Sequence, residues 1–404
     1  MDAYMKRLQT LADEIAVSGD TNGAKALAAS AKAAHDQLKS AAEQLRANLS
    51  RREQAVRLQE QEISEQQAAL DASRASDATL QGYGESTPFG STYIAAHALG
   101  VRSGIAEIAP HLIGLDPRRV ERINDAMDAA LLGHDHAKTA IDVACWDVFG
   151  KSVGLPVCEL LGGRTGCKMP IIDSIPVGSP EESRAKVAAY RAKEYLGHSI
   201  KVGDDSTLDA ARVAGALRYQ KPGEYFIVDA NGGYTTETAL RFVRLLPPNL
   251  DFVFEAPCAT LRETLSLRRR TNIPIILDEV AIDAPSIIQA IADDAVEGIG
   301  LKISKLGGLT KCRRIRDICI AAGYTFSVQE TAGSDIAFAA IVAMGQTVPE
   351  RNLRCVLESR EIVALKTADG DFDIVDGRVT APTAPGLGIT VRTEVLGAPI
   401  ATYQ

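Results

Sequence analysis

The sequence has little besides hydrophobic burial with which to hold a fold together. Its seven cysteines are an odd number and none forms a CxxC pair, which argues against a disulfide framework or a zinc ribbon. A reducing compartment, the cytoplasm, is the expected setting. No apolar run approaches the roughly 18 residues that would cross a bilayer. The charged beginning (Asp2, Lys6, Arg7) also lacks the apolar stretch of a secretory leader. Basic residues are outnumbered, with 44 Lys+Arg against 52 Asp+Glu and a formal net charge of −8. That leaves no cationic surplus to engage phosphates, so neither nucleic acid nor an anionic membrane is an expected partner.

What is present is the balance of an ordinary soluble globular protein, with 46% hydrophobic and 24% charged residues. A length of 404 residues predicts two or three domains and a core that needs no staples. Composition changes sharply near residue 80. Residues 1–80 are rich in Ala, Gln, Glu, Lys and Arg, contain no proline, and have Tyr4 as their only aromatic residue. Gly19 and Gly23, around Asp20, Thr21 and Asn22, mark a turn between one helix and a long second helix from about Ala24 to Ser73. Along that helix Ala42, Leu49, Val56, Ile63 and Leu70 recur every seventh residue, with Leu45 on the companion position but Arg52, Gln59 and Gln66 after it. A helical hairpin or coiled coil is expected, with a solvated helix as the alternative. A coiled coil would make the protein a homo-oligomer.

Residues 81–167 read as helical: Ala95–Leu112, Pro117–Leu132 with Asp116 as its cap, and His136–Val153. From 168 to 365, eight strand candidates alternate with helical stretches: Met169–Ile175, Ser199–Val202, Tyr225–Asp229, Phe252–Glu255, Ile273–Asp278, Gly298–Lys302, Thr325–Gln329 and Leu353–Glu358. Eight such units favour a closed (β/α)8-type, TIM-like barrel over a doubly wound open sheet. Residues 366–404 are expected to return to the helical cap.

In such a barrel the chemistry lies at the C-terminal strand ends. Three successive strands finish in carboxylates, Asp229, Glu255 and Asp278, spaced 26 and 23 residues apart. Adjacent strands lie about 4.8 Å apart, so these acids should converge. Clustered anions need a cation, and oxygen-only ligands with open positions suit Mg²⁺. Each acid alone could cap a helix or pair with a surface lysine, but three at one depth argue against that. Lys201 and Lys302, on the second and sixth strands, flank the acids from opposite sides and are candidate proton carriers, unless they merely pair with helix-terminal acids. A metal with two such lysines suits proton abstraction α to a carboxylate. Lys305 reads as a loop or salt-bridge residue beside Gly307 and Gly308. Trp146 is expected between a capping helix and the barrel, His134 and His136 in a loop, and His198 at the surface, though a place near the site is open for it. Cys258 is a candidate neighbour of the metal.

At these residues a resemblance becomes specific. From about Gly82 to Val395 the chain resembles the enolase superfamily, in its mandelate racemase/muconate lactonizing enzyme branch. The matching text is GYGE (82–85), AIDVACWDVFGKSVGLPVCELLGG (140–163), the three carboxylate strands, LKISKLGGLT (301–310) and PGLGI (385–389). Within that branch ESTPFGSTY, HLIGLDP and SIKVG make it most similar to cis-3-hydroxy-L-proline dehydratases. The resemblance implies Asp229, Glu255 and Asp278 as Mg²⁺ ligands, Lys302 as the sixth-strand acid/base, and Lys201 as the second lysine of a Lys-x-Lys pair whose first position is Ser199 here. It implies a small carboxylate or imino-acid substrate and a dehydratase activity. An epimerase of amino-acid derivatives or proline betaines is the rival within the superfamily, and a catalytically impaired barrel assembled by its coiled coil is the rival outside it. The seventh strand ends Val328-Gln329-Glu330, without the histidine base of the mandelate racemase subgroup. The family opens with a three-stranded antiparallel sheet whose hairpin covers the barrel mouth. Residues 1–80 show no strand pattern, so an incomplete substrate lid is expected.

Overall fold

The computed structural model describes residues 2–17, 19–77, 80–90, 92–363 and 365–404. It divides into two units, residues 1–79 and 80–404.

In the first unit, Gly19 takes a left-handed φ of 93° and reverses the chain between α1 (Asp2–Val17) and α2 (Thr21–Asp77). The Asp20 carboxylate accepts from the Gly23 amide at 2.9 Å. This cap satisfies an otherwise orphaned donor, so α2 begins three residues earlier than the glycine cluster suggests. Ala12 and Ala24 are buried, small side chains that let the helices approach closely. Of the expected heptad seam, Leu45 and Leu49 are exposed. Val56, Ile63, Leu70, Arg52, Gln59 and Gln66 lie outside the residues whose side chains are described.

The second unit opens on an irregular ribbon, residues 80–97. A Cβ on Gly82 or Gly84 would come within 2.2 or 1.9 Å of the carbonyl oxygens of Ala144 and Ala140. Only glycine lets this ribbon lie against helix α5 (Asp135–Val153), where the Tyr83 amide donates to Asp147 at 3.0 Å. Helices α3 (Ala98–Ile108), α4 (Val120–Ala130) and α6 (Val157–Leu160) complete the cap. The expected Asp116–Pro117 helix start is not used. Asp116 instead holds the Arg118 guanidinium and amide at 3.0 Å, and α4 begins at Val120. Among the described residues no strand precedes Met169, so the family's opening sheet is absent there. Trp146 on α5 donates to Thr310 Oγ1 at 2.9 Å, tying the cap to the barrel helix that carries Thr310.

Eight strands follow: β1 (Met169–Ile175), β2 (Gly197–Lys201), β3 (Tyr225–Asp229), β4 (Val253–Glu255), β5 (Ile275–Leu277), β6 (Gly298–Lys302), β7 (Thr325–Gln329) and β8 (Leu353–Leu357). All pair in parallel with their neighbours, and β8 pairs with β1 through Ile171–Val356 and Ile172–Leu357. That last pairing closes the barrel and removes the doubly wound alternative. Helices α7 (Pro180–Ala192), α8 (Ser206–Leu217), α9 (Thr236–Leu245), α10 (Leu261–Arg268), α11 (Ala284–Ala292), α12 (Ile303–Leu306), α13 (Leu309–Ala321) and α14 (Asp335–Gly345) connect the strands. Outward-facing residues such as Phe226, Phe254 and Phe326 belong to the main core. Inward-facing Ile172, Ile227, Val253, Ile276, Cys355 and Leu357 fill the barrel interior. Side chains alternate along a strand, so the residues two beyond Ile227, Val253 and Ile276 also face inward, at the mouth. They are Asp229, Glu255 and Asp278.

The remaining chain forms β9 (Ala368–Gly370), β10 (Arg378–Val379), β11 (Ile389–Val391) and α15 (Thr393–Leu396). β10 adds antiparallel to β1, β9 pairs with β11, and the Leu387 amide donates to Asp147 of α5 at 2.8 Å.

Candidate active site

Register places the site before any side chain is considered. Lys201, Asp229 and Glu255 stand level across β2, β3 and β4, and Lys302 stands level with Gln329 across β6 and β7. Asp278 follows β5 directly. β2 and β6 are four strands apart in an eight-stranded ring, so the two lysines face each other across the acids. Asp229, Glu255, Asp278 and Lys302 are each at most 3% exposed, while the Lys201 side chain keeps 29% exposure.

Ionic pairing organises this buried set. Lys201 Nζ donates to Asp229 Oδ2, and Lys302 Nζ donates to Asp278 Oδ2. Lys305 donates to Asp278 Oδ1 at 2.7 Å. It lies on α12, one turn beyond Lys302, and not in the following glycine loop. Burial opposes the charge on both strand lysines, but the facing carboxylates outweigh it and raise both ammonium pKa values. Burial would also raise Asp278, and here Lys302 and Lys305 reverse the sign and hold it low. Glu255 gets less relief, since Lys201 and Lys302 lower it by less than its surroundings raise it. Burial and the charges of Asp229 and Asp278 push its carboxyl well above the usual range. Gln329 Nε2 donates to its Oε1 at 3.0 Å. Gly300 makes room for it, since a Cβ there would sit 2.8 Å from the same oxygen.

Sequence reasoning overlooked several members of this site. Tyr93, carried in by the 80–97 ribbon, places its hydroxyl 2.6 Å from Lys302 Nζ. Burial pushes that phenol up to about 12 despite the nearby ammonium of Lys302. The ribbon is anchored to the β7–α14 loop, where Thr87 donates to the Ala332 carbonyl at 2.5 Å and Glu85 accepts from the Ser334 and Ala337 amides at 3.0 Å. Asn231 donates to Glu279 Oε1 at 2.9 Å, and the other Glu279 oxygen is buried without a hydrogen bond. Burial, together with the Asp278 and Asp229 charges, pushes the Glu279 carboxyl up to about 7. The only signal for Tyr93 was its place in the ESTPFGSTY stretch; Asn231 and Glu279 merely follow strand-end acids. A cavity of about 590 Å³ opens beside Lys302, lined by Tyr93, His97, His136, Asp278, Glu279 and Lys305 among others.

Two expectations about histidines need correction. His198 is not at the surface: it is fully buried on β2, stacked between Tyr190 and Phe226, because its position faces the helices. His136 is buried within α5, and only His134 precedes the helix. Cys258 is buried, its backbone bridged to Gly233 and Tyr234, and burial pushes its thiol up to about 12.

Among the described residues no three acidic, histidine or cysteine side chains already stand in coordination geometry, because the carboxylate oxygens turn to the ammonium groups. The donor set still fits a hard dication. Three carboxylates share one buried locus, Glu255 is repelled by two of them, and a Glu279 oxygen is left orphaned beside them. No helix among the described residues is long and apolar enough to cross a membrane.

Residues 182–395 match the enolase C-terminal domain-like family, and residues 48–162 match the mandelate racemase/muconate lactonizing enzyme N-terminal domain. The second match begins within α2, where this chain is helical. A cis-3-hydroxy-L-proline dehydratase of Roseibium aggregatum is 42% identical over 81% of this chain and 89% of its own length. An N-succinyl-L-Arg/Lys racemase of Bacillus cereus is 30% identical over 58% and 64%. A solved structure from Aspergillus oryzae, assigned to the mandelate racemase/muconate lactonizing enzymes, is 67% identical with a TM-score of 0.78, covering 80% of this chain and 89% of that one. Another from Roseovarius nubinhibens, complexed with magnesium, is 47% identical with a TM-score of 0.79, covering 81% and 91%. With both halves of the family pattern matched, and a relative 42% identical over 81% of this chain and 89% of its own length, the chain belongs to the mandelate racemase/muconate lactonizing enzyme branch of the enolase superfamily.

Proposed function

We propose that this protein is a Mg²⁺-dependent hydro-lyase acting on cis-3-hydroxy-L-proline. It would remove the proton α to the carboxylate and expel the 3-hydroxyl as water. One observation carries the proposal: Lys201 and Lys302 face each other across three strand-end carboxylates, in a chain 42% identical to a dehydratase of that substrate. Asp229, Glu255 and Asp278 would hold the metal, which when bound would supply positive charge beside the substrate's carboxylate and make its α-proton more acidic.

The lysines divide the proton work. One, as free amine, takes the α-proton; the other, as ammonium, donates to the departing hydroxyl. The Cα–H and C3–O bonds break, the C2=C3 bond forms, and the resulting enamine tautomerises to Δ1-pyrroline-2-carboxylate. A lysine serves as base only when free of its proton, which the Lys302–Asp278 pair opposes. Engaging Asp278 elsewhere neutralises the carboxylate that holds that proton. Tyr93 then keeps Lys302 oriented through its 2.6 Å hydrogen bond. Seven unpaired, buried cysteines suit a cytoplasmic setting.

Proton NMR in D₂O, with Mg²⁺ and cis-3-hydroxy-L-proline, tests this reading. Loss of the α-proton signal with appearance of the pyrroline is the expected result. The two-lysine geometry also suits epimerisation, the kind of chemistry named for the Bacillus cereus relative. Deuterium exchange with inversion and no loss of water would replace the dehydratase reading with that one.

A further inference from the structure

Glu255 differs from the other two strand-end acids in what holds it. Asp229 and Asp278 accept from lysine ammonium groups, whereas Glu255 reaches from β4 toward β7 and accepts from the neutral Gln329 amide at 3.0 Å. The two side chains meet over Gly300 of β6. A Cβ there would lie 2.8 Å from Glu255 Oε1 and 3.5 Å from Gln329 Nε2, so any larger residue would displace the carboxylate.

Gln329 is itself held. Its Nε2 carries two hydrogens, and each has an acceptor: Glu255 Oε1 at 3.0 Å and Ser327 Oγ at 2.7 Å. Flipping the amide would set its oxygen against a carboxylate oxygen, so the donor is fixed toward Glu255. Ser327 stands opposite Cys355 of β8, with Oγ 2.9 Å from Sγ. Having accepted from Gln329, the hydroxyl turns its own hydrogen to that sulfur. Ser327 and Cys355 are fully buried, and Gln329 is nearly so. A buried chain of hydrogen bonds of this kind stiffens its members.

On the reading of the three acids as metal ligands, on which this rests, we propose that Gln329 is the positioning residue for Glu255. It holds Oε1 and so keeps Oε2 for the dication, while Ser327 and Cys355 keep Gln329 in place. An amide suits this task because it donates without a formal charge. A lysine at the same place would compete with the dication for the carboxylate, and a second carboxylate would repel Glu255. A ligand oriented beforehand also loses less side-chain freedom when the metal arrives.

Calorimetric titration of the full-length protein with Mg²⁺, without substrate, tests this. Gln329→Leu removes the donor at similar size and should weaken Mg²⁺ binding about tenfold or more. Ser327→Ala, which loosens Gln329 without touching Glu255, should weaken it by a smaller factor, about threefold. Gly300→Ala should weaken it too, because it moves the carboxylate with the amide still present. Met127→Ala separates positioning from general loosening. It empties a fully buried place on α4 of the cap, so it should lower stability and leave Mg²⁺ affinity within about twofold of wild type. Affinity within about twofold of wild type in Gln329→Leu would overturn the proposal, and so would an equal loss in Met127→Ala. Should Gln329→Leu not fold, unchanged affinity in both Ser327→Ala and Gly300→Ala overturns it. A wild-type protein that takes up no Mg²⁺ would instead remove the metal reading itself, and this proposal with it.

Discussion

In residues 1–79 the buried hydrophobic side chains among those described are Ala12 and Ala24, whereas a single strand of the barrel, β3, buries Phe226, Ile227 and Val228. The first unit is helical because its composition favours helix: Ala, Gln, Glu, Lys and Arg lose little on entering one, and no proline interrupts 57 residues of α2. The barrel strands are three to seven residues long and have no comparable local preference; they exist because each face is covered. Local preference makes an element in one unit and packing makes it in the other. The same mutation type should therefore have different consequences in the two.

The largest expected effect is at the barrel mouth. Lys302→Ala should reduce kcat by about a thousandfold or more with an unchanged circular dichroism spectrum. Turnover within tenfold of wild type would remove Lys302 from the chemistry. Next comes the core outside the strands. Phe242 on α9 is fully buried, with ring centroids 5.3 Å from Phe254 and 5.6 Å from Tyr234. Phe242→Ala should cost about 3–5 kcal/mol in denaturant unfolding of the barrel.

Acid should act on the barrel through His198. Burial lowers its pKa to about 4 from 6.5, in spite of Glu224 at 3.9 Å. The unfolded chain binds a proton that the folded one refuses. This contribution is therefore fully present above pH 6.5 and is lost as pH falls toward 4, by up to about 3 kcal/mol. His198→Phe should flatten that part of the stability profile, and an unchanged acid limb would show that other groups set it. Tyr93→Phe removes one hydrogen bond to Lys302 and should lower kcat about tenfold with little change in KM. The smallest effect belongs to the first unit. Ala33 is exposed on α2, and Ala33→Gly should lower amide protection there by about 1 kcal/mol while leaving the barrel transition in place.

Much of the site was legible because strand ends carry it. The spacing of Asp229, Glu255 and Asp278 by one strand–helix unit each, with Lys201 and Lys302 on flanking strands, follows from counting, and the register then sets Lys201, Asp229 and Glu255 level. Tyr93 was not legible in this way, since it arrives on a ribbon with no periodicity. Its position depends on Gly82 and Gly84 touching α5 and on Glu85 and Thr87 bonding the β7–α14 loop. His198 was misplaced for a related reason. Alternation along β2 gives it a face, but only the stacked Tyr190 and Phe226 show that this face is buried.

The sequence by itself determined the helical first unit, the eight strand–helix repeats and the charged residues that end the strands, since all of these are local properties of composition and period. Tertiary structure decided the rest: that β8 meets β1 and closes the ring, that Lys305 joins Lys302 on Asp278, and that a tyrosine from outside the barrel reaches its mouth. Those contacts join residues far apart in the chain. Only the packing of the whole brings such residues within hydrogen-bond reach.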